Sequence, residues 1–223
     1  GQGIGIRHFS SGSNFSDGTL QARLEDDQII LEKIELKNGA GRLRADGRAR
    51  LGQHPDLQLH FQGDNLALVE RKDLDLDTSL AGDLVLDRQG ATLTGKVMVN
   101  RGLMVLGGSS APTLSADVRI KGQAPKARAE QSLGLTLDVL VDLGNDLQVR
   151  SSEKNQLLGG RLPIQTSGFR SRISGQVRLQ GERGKAVRSK GEIRVVDGSY
   201  SLLGQRLNIE RGNVLFDGPL QNP

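Results

Sequence analysis

The chain has no cysteine and no tryptophan, and only one tyrosine, five phenylalanines and six prolines in 223 residues. Without cysteine there are no disulfides, no thiolate metal sites and no cysteine nucleophile. So few aromatics also argue against single-stranded nucleic acid as a partner, because grooves for it set stacking platforms beside their basic side chains. No run approaches the ~18 apolar residues needed to span a bilayer as a helix. The opening GQGIGIRHF has neither the charged start nor the apolar core of a signal peptide. That start, and the end at Gln221-Asn222-Pro223, read as a piece of a longer protein, with any export signal or anchor outside it.

What the chain has in quantity is aliphatic: 34 Leu, 14 Val and 10 Ile, with 30 Gly for turns. Thirty basic against 26 acidic residues give a net charge of +4, in keeping with a folded protein rather than a charged tail. Bases concentrate at Arg42, Arg44, Arg48 and Arg50, and again at Arg188, Lys190 and Arg194. Each set alternates with small or apolar residues, so it projects from one strand face. A solvated outer face is the plainer reading of these stripes, and attraction to anionic lipid or another polyanion is the alternative.

Period-2 alternation between turn pairs recurs almost throughout. It is longest at 133–143, where Leu133, Leu135, Leu137, Val139, Val141 and Leu143 alternate with residues that include Thr136, Asp138 and Asp142. At ~3.3 Å per residue this apolar stripe is about 35 Å long. Similar patterns run through Leu20–Leu24, Ile30-Glu32-Ile34-Leu36 on one face, Leu43–Leu51, Leu57–Phe61, Leu74–Leu80, Leu84–Leu86, Leu93–Val99 and Leu114–Ile120. Beyond the long stripe they resume at Ile173–Leu179, Val187–Val195, Leu207–Ile209 and Val214–Phe216. Reversals are expected at 25–27, Asn38-Gly39, 88–90, Arg101-Gly102, 144–146, Asp197-Gly198 and Arg211-Gly212. Residues 151–171 read as a long loop or edge segment with a brief strand at Leu162 and Ile164. Helical spacing is weak and confined to 65–72 and 125–131. The pattern predicts a dozen or more strands in an all-β antiparallel meander. Its aliphatic face must be covered by a second sheet, by barrel closure or by curling around a partner. The regular repetition favours a sheet curled into an elongated open trough with an aliphatic interior, a single domain over residues 1–223.

Catalytic chemistry finds little foothold. His8, His54 and His60 are scattered, and Asp73, Asp75 and Asp77 lack the glycine and distal glutamate of a calcium loop, so no metal and no cofactor is expected. Gly1-Gln2-Gly3-Ile4-Gly5 has neither a preceding strand nor the lysine of a phosphate loop, and no serine sits in a nucleophile elbow. Asp26-Asp27 occupies a turn.

Residues 191–223, GEIRVVDGSYSLLGQRLNIERGNVLFDGPLQNP, carry a resemblance. Asp197-Gly198, Tyr200, Gly204-Gln205, Leu207 and Ile209, Arg211-Gly212, Phe216, Gly218-Pro219 and Asn222-Pro223 together resemble the C-terminal domain of the TamB family, AsmA-like bridge-type lipid transporters. Gly198 and Gly212 are expected at positive φ in hairpin turns. The resemblance implies a taco-shaped sheet with a hydrophobic interior, in a protein anchored in the inner membrane and spanning the periplasm of a Gram-negative bacterium. It implies work with the outer-membrane partner TamA, in phospholipid movement and in assembly of outer-membrane proteins. The expected lipid groove is lined by Leu133, Leu135, Leu137, Val139, Val141, Leu143, Val177, Leu179, Ile193, Val195, Leu207 and Ile209. Its expected partners are phospholipid acyl chains, with nascent outer-membrane proteins as an alternative through strand pairing. A closed sandwich core and a β-solenoid are the structural alternatives, and an enzyme is not expected.

Overall fold

The computed structural model describes residues 1–50, 56–106, 135–151, 168–202 and 205–219. They form one sheet of thirteen strands and, among the described residues, no helix. The strands are β1 (Gln2–Arg7), β2 (Asn14–Glu25), β3 (Gln28–Asn38), β4 (Gly41–Arg50), β5 (Asp56–Glu70), β6 (Leu74–Asp87) and β7 (Gly90–Leu106). They continue as β8 (Leu135–Asp142), β9 (Leu147–Ser151), β10 (Gly168–Gly181), β11 (Arg188–Leu202), β12 (Gln205–Asn208) and β13 (Asn213–Pro219).

Strands β1 to β7 pair with their sequence neighbours, all antiparallel. The meander then breaks its rule: β8 and β9 both lie parallel to β7 and antiparallel to β10 on their other side. Together they make one interrupted line. The same device recurs at the far edge, where β12 and β13 occupy the two ends of β11. The substantial strand-to-strand contacts all follow the hydrogen-bonded ladder. All thirteen strands belong to this one sheet, an elongated trough whose apolar side chains are mostly half-buried.

Irregularities line up across it. β5 is shifted at 64–65, with Asn65 at φ 50°. Asn100 is the extra residue of β7, residues 143–146 interrupt the β8–β9 line, Val196 bulges from β11, and 209–212 separate β12 from β13. Bulges bend and twist the strands that carry them, so this band forms a crease. The deepest burial follows it: Leu66 is 0% exposed, Leu147 3% and Val99 4%.

Several expected reversals prove to lie within strands or strand lines. Arg101-Gly102 is inside β7; a Cβ on Gly102 would stand 2.6 Å from Leu147 Cδ1 and 2.7 Å from Leu76 Cδ2, so this glycine is a packing dimple, not a turn. Residues 144–146 form no hairpin, because β9 resumes in the line of β8; Gly144, at φ 61°, donates its N–H to the Asp142 carboxylate at 3.0 Å. Asp197-Gly198 lies within β11 and Arg211-Gly212 in the link between two collinear strands, and neither glycine has positive φ. The helical spacing at 65–72 is strand through Glu70: a bulge puts Leu66 and Val69, three residues apart, on one face. A bulge at 32–33 likewise sets Ile29 and Leu31, not Ile30 and Glu32, beside Ile34 and Leu36. The expected strand at 114–120, the helical spacing at 125–131, Leu133 and the brief strand at 162–164 lie outside the described residues, whereas Gly168–Ser171 opens β10 rather than closing a loop.

Candidate functional site

Directly paired residues on neighbouring strands share a face, so the registers can be read straight across the sheet. One row runs Leu36, Leu43, Gly63, Leu80, Val97, Val141, Val177, Gly191 and Phe216, from β3 to β13. Every member is apolar or glycine. Its eight inter-strand steps of ~4.8 Å span about 38 Å. A parallel row four residues away joins Leu59, Leu84, Leu93, Leu137 and Gly181. Between them lie Phe61, Gly82, Gly95, Val139 and Leu179; a Cβ on Gly82 would come within 2.9 Å of the Phe61 ring, which reaches over this glycine.

Of the residues expected to line a groove, Leu137, Val139, Val141, Val177 and Leu179 stand side by side on this face. Leu135 joins them opposite Ala91, and Ile193 and Val195 follow opposite Gly175 and Ile173. Leu207 pairs with Tyr200 at the edge of the same face. Leu143 and Ile209 sit in the two interruptions, where Leu143 N–H donates to Gly175 O and Ile209 N–H to Gly198 O, both at 2.9 Å. Apart from Val177, these side chains are half-buried or exposed, as expected of an apolar wall with no second layer. Residues the sequence reading left out contribute as much: Leu84, Leu86, Leu93 and Val97 extend the wall, and only the parallel β7–β8 register shows that they continue the row of β8.

The opposite face is charged, and many of its charges are paired. Arg178 donates from both Nε and Nη2 to the Asp138 carboxylate at 2.7 Å, and the guanidinium holds that carboxyl below the usual range. Asp142 is lowered first by the Gly144 N–H and then by Gln176 and Lys96. Arg101 pairs with Asp77, Arg44 with Glu35, Arg194 with Glu192, and Arg71 with Asp73. The expected arginine stripe of β4 is exposed here, with Arg48 bonded to Gln58 and Arg50 to Asp27. His60 hydrogen-bonds Asp83 and His8 hydrogen-bonds Ser11. Among the described residues no three His, Asp or Glu side chains come together as a metal site.

A single sheet with one largely apolar face and one charged face defines the class of elongated β-troughs. The chain belongs to the TamB family: the model of the TamB C-terminal domain matches residues 32–223. No solved structure matches it. Membership places it among envelope-associated, periplasmic components of the outer-membrane assembly system of Gram-negative bacteria, in a family that associates with a TamA-like outer-membrane partner.

Proposed function

We propose that the apolar face binds phospholipid acyl chains and forms part of a conduit between the two membranes, in a longer protein anchored in the inner membrane. The nine-strand row from Leu36 to Phe216 carries this reading. It is longer than the ~30 Å hydrocarbon core of a bilayer, so an acyl chain lying along it meets aliphatic surface over its whole length. Burying a methylene contributes ~0.8 kcal/mol. A trough that covers about half of a dozen methylenes therefore gains on the order of 5 kcal/mol before ordering costs. Leu, Ile and Val walls offer no hydrogen bonds that would fix a chain at one position, which favours sliding over capture. The test is native mass spectrometry of the purified chain with extraction and identification of lipid. Phospholipid that co-purifies with the parent and is absent from Leu137→Asp supports the conduit; a lipid-free parent that takes up none from liposomes refutes it.

A second reading rests on the edges. Among the described residues β1 has no partner beyond β2, and β12 and β13 have none beyond β11, while Leu207 and Leu215 are 58% and 70% exposed. An open edge can accept a further strand by β-augmentation, and nascent outer-membrane proteins are the guests of that chemistry. Photo-crosslinking from Leu215 to an unfolded barrel protein, without crosslinks from Val139, would establish it; crosslinks from neither position would remove it.

A further inference from the structure

On the outer face, where β9, β10, β11 and β12 run side by side beyond the crease, the sheet forms a concavity of about 610 Å³. Its charged lining is four arginines, Arg150, Arg170, Arg172 and Arg206, against two aspartates, Asp146 and Asp197. Arg172 is bound to Asp197 through Nε at 2.9 Å and through a second, shorter contact. Among the described residues the other three have no carboxylate partner. Arg150 and Arg170 are direct cross-strand partners, Arg170 stands opposite Ser199 on its other side, and Arg206 Nη2 lies 3.3 Å from that same Ser199 Oγ.

Like charges placed directly opposite on a sheet are destabilising, and the other cation pairs of this face are offset by neighbouring carboxylates. Among the described residues two other cation pairs occur, Lys37 opposite Arg42 and Arg178 opposite Lys190. Each of these four side chains is offset: Lys37 is ion-paired to Asp17 and Arg178 to Asp138, while Arg42 stands opposite Asp64 and Lys190 opposite Asp217. Arg150 faces Val105 on its free flank and Arg170 faces Ser199. Three planar guanidinium groups and a hydroxyl around a shallow cavity match the oxygens of a phosphate, which arginine binds in a bidentate fork. We propose that this concavity binds a phosphate ester group through Arg150, Arg170 and Arg206, with Ser199 as a further hydrogen-bonding partner. The group could be carried by a membrane lipid or by a soluble anion. The sheet separates it from the trough, so the site is independent of acyl-chain binding.

Calorimetric titration of the chain with glycerol 3-phosphate and with inorganic phosphate at fixed ionic strength, and flotation with phosphatidylglycerol vesicles, test it. Arg150→Gln with Arg170→Gln should weaken binding roughly tenfold or more. Removing two carboxylate-paired cations, Arg101→Gln with Arg178→Gln, should change it less than about twofold. Response to vesicles alone identifies a lipid headgroup, and response to free phosphate identifies a soluble anion; both uphold the site. Absence of saturable binding to every probe, or an equal loss in the two double variants, overturns it. Val141→Asp leaves phosphate binding intact even where it abolishes retained lipid, which separates this site from the trough.

Discussion

Val141→Asp places a carboxylate at the middle of the nine-strand row, between Val97 on β7 and Val177 on β10. Val141 is half-buried. Full burial of a valine contributes ~1.5–3 kcal/mol, so losing a half-covered one costs about 1 kcal/mol, and the poor strand preference of aspartate adds up to ~1 kcal/mol. The carboxylate keeps access to water from the open side and adds little further penalty. The expected loss is about 2 kcal/mol, which a domain with ~5–15 kcal/mol of stability survives. With a urea slope of ~2.5 kcal/mol per molar, the midpoint falls by about 0.8 M while the strand signal in far-UV circular dichroism is unchanged at neutral pH. Lipid retention should be lost, because a charge then interrupts the wall. Under a covered core the same change buries an unpaired charge and costs roughly 4 kcal/mol or more. A loss of that size, easing progressively as pH falls through the raised pKa of a buried carboxyl and gone below its ordinary value of ~3.9, would refute the open trough.

Gly102→Val forces a branched side chain into the space held by Leu147 and Leu76; overpacking costs ~1–3 kcal/mol, and a thermal midpoint unchanged within error counts against the dimple. Arg178→Gln removes an exposed pair with Asp138 and should shift stability by less than ~1 kcal/mol, as read from the urea midpoint. Asp142 has its folded pKa depressed by Gly144, Gln176 and Lys96. Its stabilisation is complete above the ordinary carboxylate value of ~3.9 and is lost as pH falls through the depressed one. Asp142→Asn should therefore be less stable than the parent at neutral pH, with the gap closing below about pH 4; a gap independent of pH refutes the assignment.

Strand count and the apolar wall were legible because both follow from alternation alone: the registers bring Leu137, Val139 and Val141 together with Leu93, Gly95 and Val97 as period 2 requires. Three kinds of feature were not legible. A bulge replaces a spacing of two by one of three, so Leu66 and Val69 mimic a helical face and Ile30 is assigned to the wrong side of β3. A glycine beside a polar residue reads as a reversal, yet at 102 and 198 it makes room for side chains reaching across from neighbouring strands. The parallel β7–β8 pairing leaves no local trace, since it depends on where a distant segment returns. The arginine cluster was hidden for the same reason: Arg150, Arg170 and Arg206 are far apart in sequence, and only the β9–β12 registers assemble them.

Because the substantial contacts of each strand are with the strands it hydrogen-bonds, the energetics of this sheet are close to one-dimensional, a sum of strand terms and nearest-neighbour terms. A lesion in β3 can unzip the β1–β3 end while β8 to β11 stay paired, so unfolding need not be all-or-none and protection from hydrogen exchange should grade along the strand order. The same arithmetic makes length a free variable. A trough of this kind can gain or lose strands without a core having to be rebuilt, so its length can be set by repetition alone.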